Sequence, residues 1–384
     1  MTADYAGAPG ASSAPDGTAG VSGASAKGAT CPSCGMAVQP DDNFCEACRT
    51  ELAPAVISGE APKNATVCAF CQSSQISADG YCESCGHKVP SSRDHTEIDL
   101  GLLAGVTDRG LRHRRNEDAM ALATAEVANG PAVVAVVCDG VSSTRLPDEA
   151  SLAAAQAAVR VLLAGVRTGE DLIETSRDAI SAAQDAVANL GELPGSSPWK
   201  DPPSATFVSA VMTSEAVTLC WLGDSRAYWL GAGPDPMAQR LTLDDSVAGE
   251  MVAAGLLSEA EALALPQAHV VTGWVGADSG GTSPHVAKFE PPGRGVLLLC
   301  SDGLWNYQPE AGKLADMALP QALDDPLGAA TGLVNFALES GGVDNVTVVL
   351  APFPPRAPRP HDATLPAMPA VRSDPEEQSA NEPA

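Results

Sequence analysis

The chain is short of positive charge. Only 22 Lys and Arg stand against 48 Asp and Glu in 384 residues, a formal net charge of −26. An acidic protein offers no counter-charge to a phosphodiester backbone or an anionic bilayer, so neither nucleic acid nor membrane is expected as the main partner. The surplus does suit hard cations. Long apolar runs are lacking too: the longest are about the length of a strand, well short of the ~20 residues of a spanning helix. No basic-then-apolar stretch opens the chain, and the expectation is a soluble, cytoplasmic, monomeric protein. Beyond residue 85 cysteine is scarce. Of 11 cysteines, eight precede that point, and Cys138, Cys220 and Cys300 follow inside apolar runs, where they read as small core hydrophobes rather than catalytic thiols.

What is present divides the chain into segments. Residues 1–30 hold Ala, Gly, Ser, Thr and Pro with almost no large apolar side chain, the composition of a disordered arm. Residues 352–384 carry nine prolines and scattered charge with no period, a solvated Pro-rich acidic tail. Residues 31–87 form a cysteine module, 88–99 read as a linker, and 100–351 have the pattern of one α+β domain. Strands are expected at 102–106, 133–138, 205–212, 216–222, 227–230, 296–300 and 346–350, with helices at 148–166, 172–189 and 326–339 and a short pair within 247–265. Several strands follow one another directly, which favours hairpins and antiparallel sheets over a strictly alternating parallel one.

The module is an internal repeat. CPSCGMAVQPDDNFCEAC and CAFCQSSQISADGYCESC share the spacing Cys-x2-Cys-x10-Cys-x2-Cys, and each cysteine of the second copy lies 37 positions after its counterpart. Two such hooks place four thiolates on two tight knuckles, the arrangement that closes a tetrahedral zinc site. Gly35 and Gly86 follow a second cysteine, where a residue free to take positive φ aims backbone amides at sulfur. Disulfides and a redox pair are the alternatives, and neither suits a chain that shows no export signal and no thioredoxin-like context. Two structural Zn2+ are therefore expected, on Cys31, Cys34, Cys45 and Cys48 and on Cys68, Cys71, Cys82 and Cys85. Here the chain resembles the double zinc-ribbon proteins, which implies an interaction or regulatory element. Arg49, Lys63 and Lys88 are the only basic residues from Cys31 to Lys88, which favours a protein over a nucleic acid as its partner.

The large domain carries a second pattern. VVAVVCDG places Asp139 at the end of a valine-rich run, LLLCSDG does the same for Asp302, and LCWLGDSR for Asp224. Glu117 and Asp118 lie in RRNEDAMAL, and Asp344 in GGVDNVTVVL just before a strand. Any one of these is an ordinary turn residue. Six carboxylates converging in one place would repel each other, and the usual remedy is divalent cations. With no histidine or cysteine at the recurrent positions, the donor set favours Mg2+ or Mn2+ over zinc. Arginines beside the cluster suggest an anionic substrate such as phosphate.

TDRG with NEDA, VCDG, PSATF, WLGDSRAYWL, LTLDDS, LLLCSDGLW and GGVDNVTVV, in this order over about residues 100–351, resemble the metal-dependent protein phosphatases of the 2C class. The resemblance implies a four-layer α-β-β-α sandwich of two antiparallel sheets. It also implies hydrolysis of phosphoserine and phosphothreonine in proteins by a hydroxide bridging two Mn or Mg ions, with a cognate serine/threonine kinase as a natural counterpart. Carried over by position, Asp139 bridges the two metals, Glu117 and the Gly140 carbonyl hold the second, and Asp302 and Asp344 hold the first. Asp118 orients a water, Asn345 supports the turn, and Asp224 with Asp302 makes a third site. The family's phosphate-binding arginine falls at His113, so Arg112, His113 and Arg114 are the substrate-binding candidates. A histidine found after the glycine in some members is Val141 here. The competing reading is a phosphatase-like adaptor that recruits partners through its zinc ribbons. The intact set Glu117, Asp139, Asp302 and Asp344 speaks against it.

Overall fold

The computed structural model describes residues 91–191, 201–233, 236–279 and 283–355, with short pieces between 29 and 89. In chain order the large domain runs through β1 (His95–Asp99), β2 (Ala104–Asp108), β3 (Asp118–Val127), β4 (Gly130–Asp139), α1 (Pro147–Thr168) and α2 (Leu172–Leu190). There follow β5 (Phe207–Met212), β6 (Val217–Leu222), β7 (Arg226–Gly231), α3 (Val247–Ala253), α4 (Glu259–Leu263) and β8 (His285–Phe289). The last are β9 (Gly295–Cys300), α5 (Asp302–Trp305), α6 (Ala311–Ala322), α7 (Pro326–Glu339) and β10 (Val346–Phe353).

Continuous apolar runs need cover on both faces of a sheet. Two antiparallel sheets supply it, one in the order β8-β6-β5-β4-β3 and the other β7-β9-β10-β2-β1. Side chains alternate along β4: Val133, Ala135 and Val137 enter the core between the sheets, while Val134, Val136 and Cys138 meet α1 and α2. Strand β9 does the same, with Leu297 and Leu299 between the sheets and Val296, Leu298 and Cys300 against α6 and α7. The expected α-β-β-α sandwich is therefore present. Cys138, Cys220 and Cys300 are fully buried, and burial pushes all three thiols up, Cys220 to about 12. Helix α1 has the length and apolar composition of a membrane span, yet 56% of that stretch is buried, and it serves as the core helix over β3 and β4.

Two expectations need correction. The described part of 88–99 is not a linker: Ser92–Asp94 form a capped 3-10 turn and β1 pairs with β2 along its whole length. Its alternating polar residues suit an edge strand, which the sequence reading passed over. Strand β3 is the second departure: DAMALATAEV is rich in helix-forming alanine and carries no strand pattern, yet ten-residue pairing with β4 overrides that preference. The chain stretches 1–28 and 356–384 and the first cysteine quartet lie outside the described residues.

One buried ion pair fixes the connection from β7 to α3. Arg226 is fully buried, donates from Nε and Nη2 to Asp244 at 3.0 and 2.6 Å, reaches the Tyr228 hydroxyl at 3.1 Å and lies 3.7 Å over the Trp305 ring. Removing one partner strands a charge in the core. Asp244→Ala is expected to cost about 3–5 kcal/mol in chemical denaturation; a loss below about 1 kcal/mol would show that the pair does not hold this segment.

Candidate active site and metal centre

Strand register brings the acidic positions to one rim. Asp118 and Asp139 are direct Cα partners at the open end of the β3–β4 ladder. Asp302 follows β9 and Asn345 precedes its neighbour β10, so the second sheet presents its ends on the same side. The Asp-Gly pairs have a steric reason. A Cβ on Gly303 would fall on the Asn345 carbonyl oxygen, and one on Gly140 would meet the carbonyls of Pro147 and Glu117. Glycine thus lets neighbouring backbone close against each aspartate.

Hydrogen bonds hold the rim together across the two sheets. The Glu117 amide donates to Asn345 Oδ1 at 2.7 Å, and Asn345 Nδ2 donates to the carbonyls of Arg109 and Arg115 at 2.7 and 3.1 Å. Asp118 Oδ2 accepts from Ser301 Oγ at 2.7 Å and from Thr347 Oγ1 at 2.8 Å. The Gly140 amide donates to the Glu117 carbonyl at 3.0 Å. Trp305 Nε1 donates to the Asp224 carbonyl at 2.9 Å, tying Asp224 to the helix that Asp302 opens. Ser301 and Thr347 were not singled out in the sequence; their signal is a hydroxyl residue beside each apolar strand end.

The electrostatics are those of a crowd. Burial, then the charges of Asp118, Asp302, Asp344 and Asp224, push Asp139 well above the carboxylate range. Burial and then Asp344, Asp224 and Asp118 do the same to Asp302. Burial lifts Asp118 to about 6, against the hydroxyls of Ser301 and Thr347, which favour its anion. Asp224 rises to about 7, through burial and then Asp244, with Arg226 opposing. Two oxygens in this crowd, Asp118 Oδ1 and Asp302 Oδ1, are buried without a hydrogen-bond partner. Orphaned anionic oxygens in an all-oxygen donor set fit hard divalent cations.

The basic residues sort differently from expectation. His113 Nε2 lies 3.1 Å from Asp344 Oδ1, whereas Arg112 and Arg114 are exposed. Arg115, passed over in the sequence, donates from Nε to Glu117 Oε1 at 2.9 Å and has Nη1 3.4 Å from Asp148 Oδ1. Ser142 Oγ caps the other oxygen of Glu117 at 2.5 Å. His269 stacks on Trp305 with ring centroids 5.8 Å apart, a packing role.

The second cysteine quartet is assembled as expected. The sulfurs of Cys68, Cys71, Cys82 and Cys85 lie within 4.8 Å of one another, with 3.6 Å from Cys68 to Cys85 and 3.3 Å from Cys71 to Cys82. Four thiolates about 2.3 Å from a common centre give separations of this order, so the cluster fits tetrahedral zinc. Gly86 has φ +73°, as its place after Cys85 requires, and its amide donates to the Cys82 carbonyl at 2.7 Å.

Residues 109–318 match the family model for protein phosphatase 2C, and residues 31–92 that of the double zinc ribbon. The chain belongs to the protein phosphatase 2C family. It is 31% identical over 147 residues to the serine/threonine phosphatase stp of Listeria innocua, covering 38% of this chain and 55% of that protein. To the serine/threonine protein phosphatase PstP of Mycobacterium tuberculosis it is 27% identical over 254 residues, 65% of this chain and 44% of PstP. The chain spans about half the length of the curated relatives it matches. A crystal structure of the PstP catalytic domain in complex with two manganese ions superposes at TM-score 0.50 and 25% identity, over 65% of this chain and 96% of that one. The 2C match ends at residue 318, before Asp344; the Asn345 and His113 contacts are what bring that segment to the rim.

The raised carboxyls have a consequence for stability. Their folded pKa values exceed the roughly 3.9 of an unfolded aspartate, so without divalent ions the stability they contribute is present below about pH 4 and lost as pH rises through 6 and 7. The Mn2+-free protein should melt at falling temperature from pH 5 to pH 8, and Mn2+ should reverse the fall. Asp224→Asn should raise the Mn2+-free melting temperature at pH 8 by about 3 °C or more; a decrease would contradict this electrostatic reading.

Proposed function

We propose that this 2C-family chain is a metal-dependent protein serine/threonine phosphatase that releases phosphate from phosphoserine and phosphothreonine side chains. The observation that carries the reading is the convergence of Asp118, Asp139, Asp224, Asp302 and Asp344, with two buried oxygens left without partners. Asp139, Glu117, the Gly140 carbonyl, Asp302 and Asp344 would hold two Mn2+ or Mg2+ ions, and Asp224 with Asp302 a third. Such ions, when bound, neutralise the cluster and acidify water to supply a nucleophile. The manganese ions of the PstP catalytic domain support that choice of metal.

The chain's own residues have separate tasks. Asp118 is clamped through one oxygen by Ser301 and Thr347, which leaves Oδ1 to orient water. His113 and Arg115 offer N–H donors at the rim beside Asp344 and Glu117, where a phosphate dianion would arrive; Arg112 and Arg114 add positive charge outside them. The zinc ribbons act as a protein-interaction module that selects the phosphoprotein or a cognate kinase, in a cytoplasmic enzyme that works as a monomer.

The test is phosphate release from a phosphothreonine peptide as Mn2+ is titrated into the full chain, with Asp302→Asn as control. Activity should appear with Mn2+ and drop by about 100-fold or more in the control, as expected for loss of a metal ligand. Folded protein without activity at any Mn2+ concentration would favour the adaptor instead.

A further inference from the structure

The second zinc knuckle is joined to β3 on both sides. Before it, Ile57 and Ser58 pair with Leu122 and Ala121 and so extend the sheet beside the strand that begins at Asp118. After it, Val89 is buried against Cys68 and Cys82, and Ser91 opens the turn Ser92–Asp94 with a capping box. Four residues beyond Val89, Arg93 runs beneath the acidic rim. Its Nη2 donates to the Asp148 carbonyl at 2.9 Å and to the Asp118 carbonyl at 3.4 Å, and Nη1 lies 3.7 Å from Asp148 Oδ2. Its own carbonyl accepts from Asn116 Nδ2 at 3.1 Å, while Asn116 Oδ1 accepts from the Asp118 amide at 3.2 Å. Asp148 in turn carries Arg115, which holds Glu117. Backbone and side chain of one residue thus brace both ends of the turn Asn116–Glu117–Asp118.

We propose that Arg93 is a positioning residue for the metal centre and the link through which zinc in the Cys68, Cys71, Cys82 and Cys85 knuckle sets the affinity of that centre for Mn2+. The inference rests on the phosphatase reading of the acidic rim. Zinc orders the knuckle, the knuckle fixes Val89, and Val89 sets the start of the turn that carries Arg93. A lost knuckle frees Arg93 from the Asp118 and Asp148 carbonyls, and the ligand turn loses its brace. The ribbon is then a built-in regulator of the metal site as well as a handle for partners, and zinc loss lowers Mn2+ affinity with no change in any Mn2+ ligand.

The experiment measures free Mn2+ by its paramagnetic resonance signal during titration of the full chain, in wild type, Arg93→Ala, Arg93→Lys, Cys71→Ser and the Arg93→Ala/Cys71→Ser double variant, with zinc content and melting temperature recorded for each. Arg93→Ala and Cys71→Ser are each expected to weaken Mn2+ binding by about tenfold. Arg93→Lys, which can keep one of the carbonyl contacts, should fall between. The double variant should be no weaker than either single one, since both cut the same link. Wild-type affinity in Arg93→Ala, or in Cys71→Ser that has lost its zinc, overturns the proposal, and so do independent, multiplying effects in the double variant. Asp302→Asn separates the two readings: if it binds Mn2+ like wild type the metal-centre assignment falls, whereas if it alone loses Mn2+ only the link falls.

Discussion

Repulsion among Asp118, Asp139, Asp224, Asp302 and Asp344 is the constraint to which the rest of the domain answers. Asp118, Asp139, Asp224 and Asp302 sit beside strand ends whose other side chains are buried, so they cannot turn away into solvent without pulling a strand out of the sandwich, while Asp344 stands part-exposed at the outer edge. The surroundings do not neutralise the group: Asp118 receives two hydroxyl donors and Asp302 one amide, but one oxygen of each stays unmet. Burying anions in this way is costly unless a counter-charge arrives. The scaffold therefore stores an unfavourable charge array, held by three apolar layers and the Asn345 cross-link, that divalent ions would relieve.

That view explains why support is spread so widely. Asn345 joins the Arg109, Arg115 and Glu117 backbones; Trp305 joins Asp224 to the helix after Asp302, and Arg226 lies over the same ring while paired with Asp244. None of these side chains is a proposed ligand, yet each limits how far a ligand-bearing turn can move. Positioning by a supporting shell is the usual way a protein tunes a metal site. The Arg93 contacts extend that shell to the segment leaving the zinc knuckle.

Much of this was legible in the sequence, for identifiable reasons. Runs such as VVAVVCDG and VLLLCSDG demanded strands covered on both faces, the ordered motifs that resemble the 2C class implied the sandwich, and the acidic rim followed from aspartates that end those runs in Asp-Gly. The zinc knuckle followed from spacing alone. What escaped depends on contacts between distant segments. Strand β3, rich in alanine, shows no strand pattern until it meets β4, and β1 reads as linker because it is a polar edge. Arg115 was indistinguishable from its neighbours Arg112 and Arg114, since only the fold decides which of three adjacent arginines meets Glu117. Arg93 lay in a stretch with no motif, 25 positions from the carbonyl it braces.

The central claim is that the carboxylate rim is a divalent-cation site in which burial and mutual repulsion push Asp139 and Asp302 toward the protonated form until metal arrives. The most direct test is Mn2+ titration by calorimetry at pH 6.5 in buffers of different ionisation enthalpy, which counts ions bound and protons released together. Two or more Mn2+ per chain with about one proton or more released is the expected result, because Asp139 and Asp302 lie well above their ordinary range and must ionise to bind. Folded protein that binds no Mn2+, or binds it without releasing protons, would contradict the account.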